Sequence, residues 1–193
     1  DLDEIFLITS DPLSKNDCIV FYLDVLAGRK ILIQSIDLLQ RQGVWMSLPE
    51  ETRNSLNSYL HQSTIADELQ KTILKDLKNI TSQKSMKNCR AQAIPQLYTE
   101  SFMDPVNKDL ILKNNFKTQI AMTFGNQLNS LVINSHIFLL ESSFQPQQNA
   151  VESIYRKNGF TVHTYTPNGF DSGGGQMHCS TNTIRKNRNQ NNQ

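Results

Sequence analysis

The chain lacks several features by which large classes of protein are recognised. It carries 19 Lys and Arg against 18 Asp and Glu in 193 residues, and this balance gives no charged field for nucleic acid or for a cationic partner. No apolar run approaches the roughly 20 residues that span a bilayer, and no secretory leader is evident. We therefore expect a globular domain with neither a nucleic-acid nor a membrane partner, long enough to bury its own core.

Cysteine is also scarce, with only Cys18, Cys89 and Cys179. An odd number at wide spacing argues against a disulfide framework and for a reducing compartment, so a cytoplasmic location is expected. The four histidines are scattered and no Cys-x-x-Cys pair occurs, so no metal site is predicted within the chain. Because the chain opens at Asp1 without a methionine, directly before a strand-like run, we expect a piece of a longer protein.

Glycine is present at only eight positions, and three of these are consecutive. Gly173, Gly174 and Gly175 form a stretch without side-chain bulk, against which a flat ligand can lie. Cys179 follows four residues later. Taken alone, the pattern also fits a glycine loop that leads into a strand whose cysteine is a small buried hydrophobic residue. Both interpretations stay open on the pattern alone.

Apolar periodicity along the rest of the chain predicts alternating strands and helices. Strands are predicted at residues 5–9, 19–23, 91–98 and 160–166, and two more on either side of Asn134-Ser135 within residues 129–140. Helices are predicted at residues 27–42, 49–81 and 147–158, with a solvated connection at 82–90 and a loop at 101–115. This alternation predicts an α/β fold.

The residues around Cys179 resemble the nucleophile segment of the guanidine-modifying enzymes. The run His178-Cys179-Ser180-Thr181-Asn182, followed by Arg185-Lys186, is similar to the C-terminal end of the protein-arginine deiminases, whereas the glycine run is more similar to the agmatine deiminases. Further similar segments occur in the same order: Asp3-Glu4-Ile5-Phe6, Ile94-Pro95-Gln96-Leu97-Tyr98 and Gly159-Phe160. The resemblance covers residues 1–186, and the polar residues 187–193 are expected to form a disordered tail.

The resemblance implies a more specific fold and an activity. The fold would be a pentein, a five-bladed α/β propeller of ββαβ units around a central site, and the chain would supply about the last half of the ring. The activity would be hydrolysis of peptidyl-arginine to peptidyl-citrulline and ammonia. The implied cofactor is calcium, whose ligands would lie outside this chain, and the implied partner is an arginine-containing protein or a small guanidine. The oligomeric state is not indicated.

The same resemblance implies roles for particular residues. Cys179 would be the nucleophile, because the thiolate is reactive enough to attack the resonance-stabilised guanidinium carbon. Asp3 would be one of two carboxylates that hold the guanidinium nitrogens, and Gly174 and Gly175 would contact the substrate. Asp1 stands where the family has a histidine acid/base. A carboxylate at that place donates a proton at neutral pH only if its surroundings raise its pKa.

Other proton donors and other functions stay open. His178 and His163 are alternative donors, although His178 would point away from Cys179 in an extended segment, because neighbouring side chains there face opposite ways. Asp1 favours a catalytically silent pentein that binds arginine-bearing partners. Gly173 and Gly174, at a place where the protein deiminases carry basic residues, favour a small-guanidine deiminase or an amidinotransferase.

Overall fold

The computed structural model describes residues 5–14, 17–50, 53–54, 57, 63–100, 120–122, 128–142 and 144–165. These residues include eight strands and three α-helices, and Glu50, Arg53, Asn54 and Asn57 are also helical. The predicted α/β class is confirmed. The strands are β1 (Phe6–Ser10), β2 (Cys18–Asp24), β3 (Cys89–Pro95), β4 (Tyr98–Glu100), β5 (Ile120–Met122), β6 (Leu131–Ile133), β7 (His136–Leu140) and β8 (Thr161–Tyr165). The helices are α1 (Val25–Arg41), α2 (Ser63–Thr81) and α3 (Gln145–Lys157). None of them is long and apolar enough to cross a membrane.

Two three-stranded sheets share one topology. In the first sheet, β1 pairs antiparallel with β2, and β3 pairs parallel with β2 after a crossover that contains α1 and α2. In the second sheet, β6 pairs antiparallel with β7, and β8 pairs parallel with β7 after a crossover that contains α3. We call these the first unit and the second unit. Strands β4 and β5 pair antiparallel in a small separate sheet.

The central strand β2 is buried on both faces. Its residues Ile19, Val20 and Phe21 are 0% exposed, as expected for a strand that helices or another sheet cover on each side. The ring of Phe21 meets the rings of Tyr155 and Phe160 edge to face, with centroids 4.8 and 5.8 Å apart. Burial raises the pKa of the Tyr155 hydroxyl far above its ordinary value, so this ring stays neutral. The two units therefore share one hydrophobic core.

Helix α1 has clear signals at both ends. The Asp24 carboxylate accepts a hydrogen bond from the Ala27 N–H at 2.8 Å, which satisfies one of the free donors of the first turn. At the other end Gly43 adopts a φ of +71°, a conformation that glycine takes without strain. Gly159 has the same role after α3, with a φ of +86°. Both predicted helix ends are confirmed.

Helix α2 covers the first sheet with the apolar stripe that its sequence predicts. Ile73 is 1% exposed, and Leu69, Leu77 and Ile80 pack against the core. The helix spans Ser63–Thr81 and thus forms the second part of the predicted helix 49–81. It also contributes Gln70, whose side-chain oxygen accepts a hydrogen bond from the Val25 N–H at 2.7 Å.

A disulfide joins the first residues of β2 and β3. Cys18 and Cys89 are paired in the parallel register, with Cα atoms 4.4 Å apart, and their sulfur atoms are bonded. The expectation that the cysteines form no disulfide is therefore wrong for this pair. That expectation rests on the wide spacing of the cysteines in sequence. The parallel pairing of β2 and β3 nevertheless brings together two residues that are 71 positions apart. The expected cytoplasmic location stays a prediction.

The predicted solvated connection 82–90 ends in an ordered polar contact between the units. Arg90 donates from Nε to the Asp11 carboxylate at 2.7 Å and from a second nitrogen to the side-chain oxygen of Asn158. The Asp11 side chain is only 5% exposed. Its hydrogen bond with Arg90 holds the pKa of the carboxyl group below its ordinary value, despite burial. We call Asp11, Arg90 and Asn158 the amino-edge clamp, since β2 and β3 begin beside it.

We expect Arg90→Met to lower the free energy of unfolding by about 1–3 kcal/mol at neutral pH, because it leaves the buried Asp11 charge without its partner. The depressed pKa of Asp11 means that its contribution is complete above the unfolded value near 3.8 and is lost as the pH falls through the folded value. The difference between wild type and variant should therefore shrink on acidification. Urea unfolding between pH 7 and pH 3 measures it.

The matched control is Arg156→Met, which removes an exposed ion pair with Glu152 four residues away on α3. Exposed pairs of this kind contribute less than about 0.5 kcal/mol. Equal effects of the two variants at pH 7, or a difference that does not change with pH, would contradict the role given to the amino-edge clamp.

Gly28 marks the closest approach of α1 to the chain after β3. A Cβ at this position would overlap the carbonyl group of Gln96 and lie 2.9 Å from its nitrogen. We expect Gly28→Ala to destabilise the protein by about 1–3 kcal/mol through overpacking, although alanine favours the helix by about 1 kcal/mol. The control is Lys30→Ala at an exposed position of the same helix, for which urea unfolding should show a change within about 0.5 kcal/mol.

Candidate functional site at the carboxyl edge of the two sheets

The parallel strands of each unit end at a common edge, which we call the carboxyl edge. In the first unit, β2 and β3 end together at Asp24 and Pro95, and the antiparallel β1 begins there with Phe6. In the second unit, β7 and β8 end together at Leu140 and Tyr165. In open α/β sheets, ligands bind outside the carboxyl ends of the strands. The carboxyl edge is therefore the candidate functional site.

Two buried glutamines connect the carboxyl edges of the units. Gln96 directly follows β3, Gln147 lies in the first turn of α3, and both are 0% exposed. The Gln147 amide donates from Nε2 to Oε1 of Gln96 at 3.3 Å. The Gln96 backbone N–H donates to the carbonyl oxygen of Asp24 at 3.1 Å, which fixes the turn after β3 against the end of β2. The two edges are thus joined by a contact between uncharged polar side chains.

Two further buried glutamines fix backbone at the same edge. Gln148 is 2% exposed, and its Oε1 accepts from the Ser142 N–H at 3.0 Å while its Nε2 donates to Glu152 at 2.9 Å. Gln70 is 5% exposed and holds the Val25 N–H, as described above. Glutamine is mostly a surface residue, so four buried ones at the strand ends indicate a built polar layer. We call Gln70, Gln96, Gln147 and Gln148 the buried glutamines.

One atom of this layer has no hydrogen-bond partner. It is Oε1 of Gln147, which is buried. A buried acceptor without a donor costs about 1–3 kcal/mol, whereas the neighbouring Gln148 uses both of its polar atoms. The two adjacent side chains therefore make very different contributions to stability.

The remaining groups at the edge are a carboxylate and a phenol. Asp24 uses its side chain to cap α1. Burial, with a smaller contribution from the Asp24 charge, raises the pKa of the Tyr22 hydroxyl above its ordinary value. Tyr22 is therefore a neutral phenol at physiological pH. The described part of the edge can donate and accept hydrogen bonds through neutral groups and carries the Asp24 charge.

His163, one of the candidate proton donors, is engaged with a second histidine. Its Nε2 lies 3.0 Å from Nδ1 of His136 on the neighbouring strand, and the ring of Phe138 lies parallel to it with centroids 4.8 Å apart. The two imidazole centroids are 5.2 Å apart. Two imidazole rings whose nitrogens are 3.0 Å apart cannot have centroids much farther apart than this, so the two nitrogens point at each other. Which nitrogen donates and which accepts depends on the tautomers of the two rings.

The predicted reactive residues lie outside the described residues. In sequence, some precede β1 and the others follow β8. They are Asp1, Asp3, Gly174, Gly175, Cys179 and the alternative donor His178. The predicted loop 101–115 and the tail 187–193 are outside as well. Among the described strands, Pro95 ends β3, which is the outer strand in the order β1-β2-β3, as expected for a residue that cannot donate to a strand ladder. Within the described ranges, no three His, Cys, Asp or Glu side chains come together as metal ligands.

Sequence reasoning missed the buried glutamines and the amino-edge clamp. The only local signal for Gln96 is its place between Pro95 and Leu97 in an apolar segment, and Gln147 and Gln148 follow Pro146 as ordinary first-turn residues of a helix. Their burial depends on contacts between units, which no local pattern shows. Neither the models of known protein families nor the curated proteins include a match to this chain.

We expect Gln147→Met and Gln148→Met to differ in their effect on stability. Gln147→Met removes an unpaired buried oxygen, which is favourable, and takes one long hydrogen bond away from Oε1 of the buried Gln96, which is unfavourable. Because the two effects oppose each other, the free energy of unfolding should change by less than about 1 kcal/mol. Gln148→Met leaves the buried Ser142 N–H without a partner and should cost about 1–3 kcal/mol. Urea unfolding of both variants measures the difference. Equal losses would contradict the contacts given to the two side chains.

Proposed function

We propose that the chain is the C-terminal part of a protein-arginine deiminase-like hydrolase with the pentein fold. The observation that carries the proposal is the shared topology of the two units, in each of which an antiparallel strand pair is followed by a helical crossover to a parallel third strand, and whose carboxyl edges meet at Gln96 and Gln147. A ring of such units around a central site is what the resemblance of the Cys179 segment implies. The motif and the topology support the same family from different parts of the chain.

The order of the chain relative to the carboxyl edge supports the roles of the reactive residues. Asp3 comes shortly before β1, which begins at this edge in the first unit, and the segment with Cys179 follows β8, which ends at this edge in the second unit. We propose that both segments reach the centre of the ring from the joined edges. A carboxylate and a thiol would then converge on one guanidinium group.

In the proposed reaction, the Cys179 thiolate adds to the guanidinium carbon of an arginine side chain. The tetrahedral adduct expels one nitrogen as ammonia, after that nitrogen has taken a proton, and leaves an S-alkylthiouronium. Water then attacks the same carbon and releases the thiolate and a ureido product. Asp3 holds the planar guanidinium by paired hydrogen bonds, and the positive charge of the substrate favours the thiolate form of the cysteine.

The proposed mechanism also needs a residue that donates a proton to the leaving nitrogen. Asp1 occupies the place of the family's histidine. His163 lies in its pair with His136 on the exposed face of the second sheet, and this engagement disfavours it as the donor. We propose that Asp1 delivers the proton, a role that requires surroundings that favour the protonated form of its carboxyl group.

We expect the longer protein that contains this chain to form ureido product from benzoyl-arginine, and Cys179→Ala to lower kcat/KM by at least about 10³-fold, as removal of a catalytic nucleophile does. A haloacetamidine probe should label Cys179 in the parent protein. Assays with agmatine as substrate, and with and without calcium, separate a protein deiminase from a small-guanidine deiminase and test the calcium requirement. Unchanged turnover after Cys179→Ala would overturn the proposal.

A second candidate function is favoured by Asp1 itself. A catalytically silent pentein would bind arginine-bearing partners through Asp3 without turning them over. In that case the parent protein should give no ureido product and Asp1→His should restore turnover. An active parent protein excludes this candidate.

A further inference from the structure

The Cys18–Cys89 disulfide lies next to the amino-edge clamp in the chain and connects the same two segments. Cys89 immediately precedes Arg90, whose guanidinium holds Asp11. Cys18 immediately follows Asp17, whose carbonyl oxygen accepts from the Asp11 N–H at 2.9 Å. The disulfide therefore links covalently the two chain segments that the Asp11–Arg90 ion pair links electrostatically.

The surroundings of the disulfide favour exchange with thiols in solution. Both cysteines are half-buried, and Cys89 packs against the hydrophobic core. Because neither residue is fully enclosed, we expect an attacking thiolate to reach a sulfur without unfolding of the protein. The sulfur of Met86 lies 3.7 Å from that of Cys89 on one side. We do not expect the strands to depend on the bond for their pairing, because the ladder between β2 and β3 continues to Asp24 and Pro95 and includes the buried residues Phe21, Leu23 and Ile94.

We propose that Cys18 and Cys89 form a reversible thiol–disulfide site that exchanges with low-molecular-weight thiols and sets how tightly the amino-edge clamp is held. On oxidation, one cysteine thiolate attacks a small disulfide and releases one small thiol, and the second thiolate then attacks the mixed disulfide and releases another. Two electrons pass from the protein dithiol to the small disulfide. Each leaving thiolate takes up a proton released by a cysteine.

Register favours re-formation of the disulfide after reduction. Cys18 and Cys89 are partners in the first rung of the β2–β3 ladder, and we expect this pairing to persist in the reduced state, so that the effective concentration of one thiol toward the other stays high. The clamp connects this rung to the second unit through Asn158, which is followed by Gly159 and by the core residue Phe160. Reduction should loosen the turn around Asp11 and the end of α3. The carboxyl edge should not change.

The test uses the full chain with Cys179→Ser, so that only two thiols remain. The protein is equilibrated in buffers whose glutathione ranges from fully reduced to fully oxidised. Free thiols are then blocked with N-ethylmaleimide, and the mass of the protein is measured by mass spectrometry. We expect only unlabelled and doubly labelled species, which interconvert around one glutathione ratio without denaturant. Hydrogen exchange of the amides of Asp11, Ser14 and Gly159 should be at least about threefold faster in the reduced state, whereas the amides of Gln96 and Gln148 should be unchanged.

The control protein carries Cys18→Ser and Cys89→Ser in addition. It should exchange like the reduced form in every buffer. The proposal is overturned by a large singly labelled population, by a disulfide that opens only in denaturant, or by equal exchange rates of the clamp amides in the two states. These outcomes do not depend on whether the proposed deiminase activity is found.

Discussion

Burial of β2 on both faces is the constraint on which the rest of the structure depends. Both units contribute to the cover of the apolar run that begins at Ile19. Phe21 is 0% exposed, and Tyr155 and Phe160 of the second unit pack against its ring. Burial of aromatic surface and the edge-to-face contacts of the rings stabilise the arrangement together. The polar contacts at the two edges then fix how the units are oriented around this core.

The two edges are fixed by different chemistry. At the amino edge a charged pair and a disulfide connect segments that are far apart in sequence. At the carboxyl edge the connection is made by neutral carboxamides. A neutral layer beside a proposed thiolate and a cationic substrate adds no competing charge, so the proposed reactive groups would set the electrostatics of their own site.

Most of the described elements follow from local sequence signals. Gly43 and Gly159 end helices because glycine takes a positive φ without strain. Asn134 turns between β6 and β7 with a φ of 55°, which asparagine tolerates better than most residues. Local patterns do not determine the register between strands or the contacts between units. The pairs Cys18–Cys89 and Gln96–Gln147 depend on which strand or helix end lies beside which. The proposed reactive residues are predicted instead from a motif, which indicates a type of chemistry but not the structure that positions the reactive groups.

The close approach at Gly28 has a mechanical consequence. The α1 backbone touches the Gln96 backbone with no room for a methyl group, and Gln96 touches Gln147 at the start of α3. A displacement of α1 must therefore carry the turn after β3 and the start of α3 with it, because buried and closely packed groups do not slide independently. Helix α1, the turn after β3 and the start of α3 should then respond to a perturbation as one rigid piece.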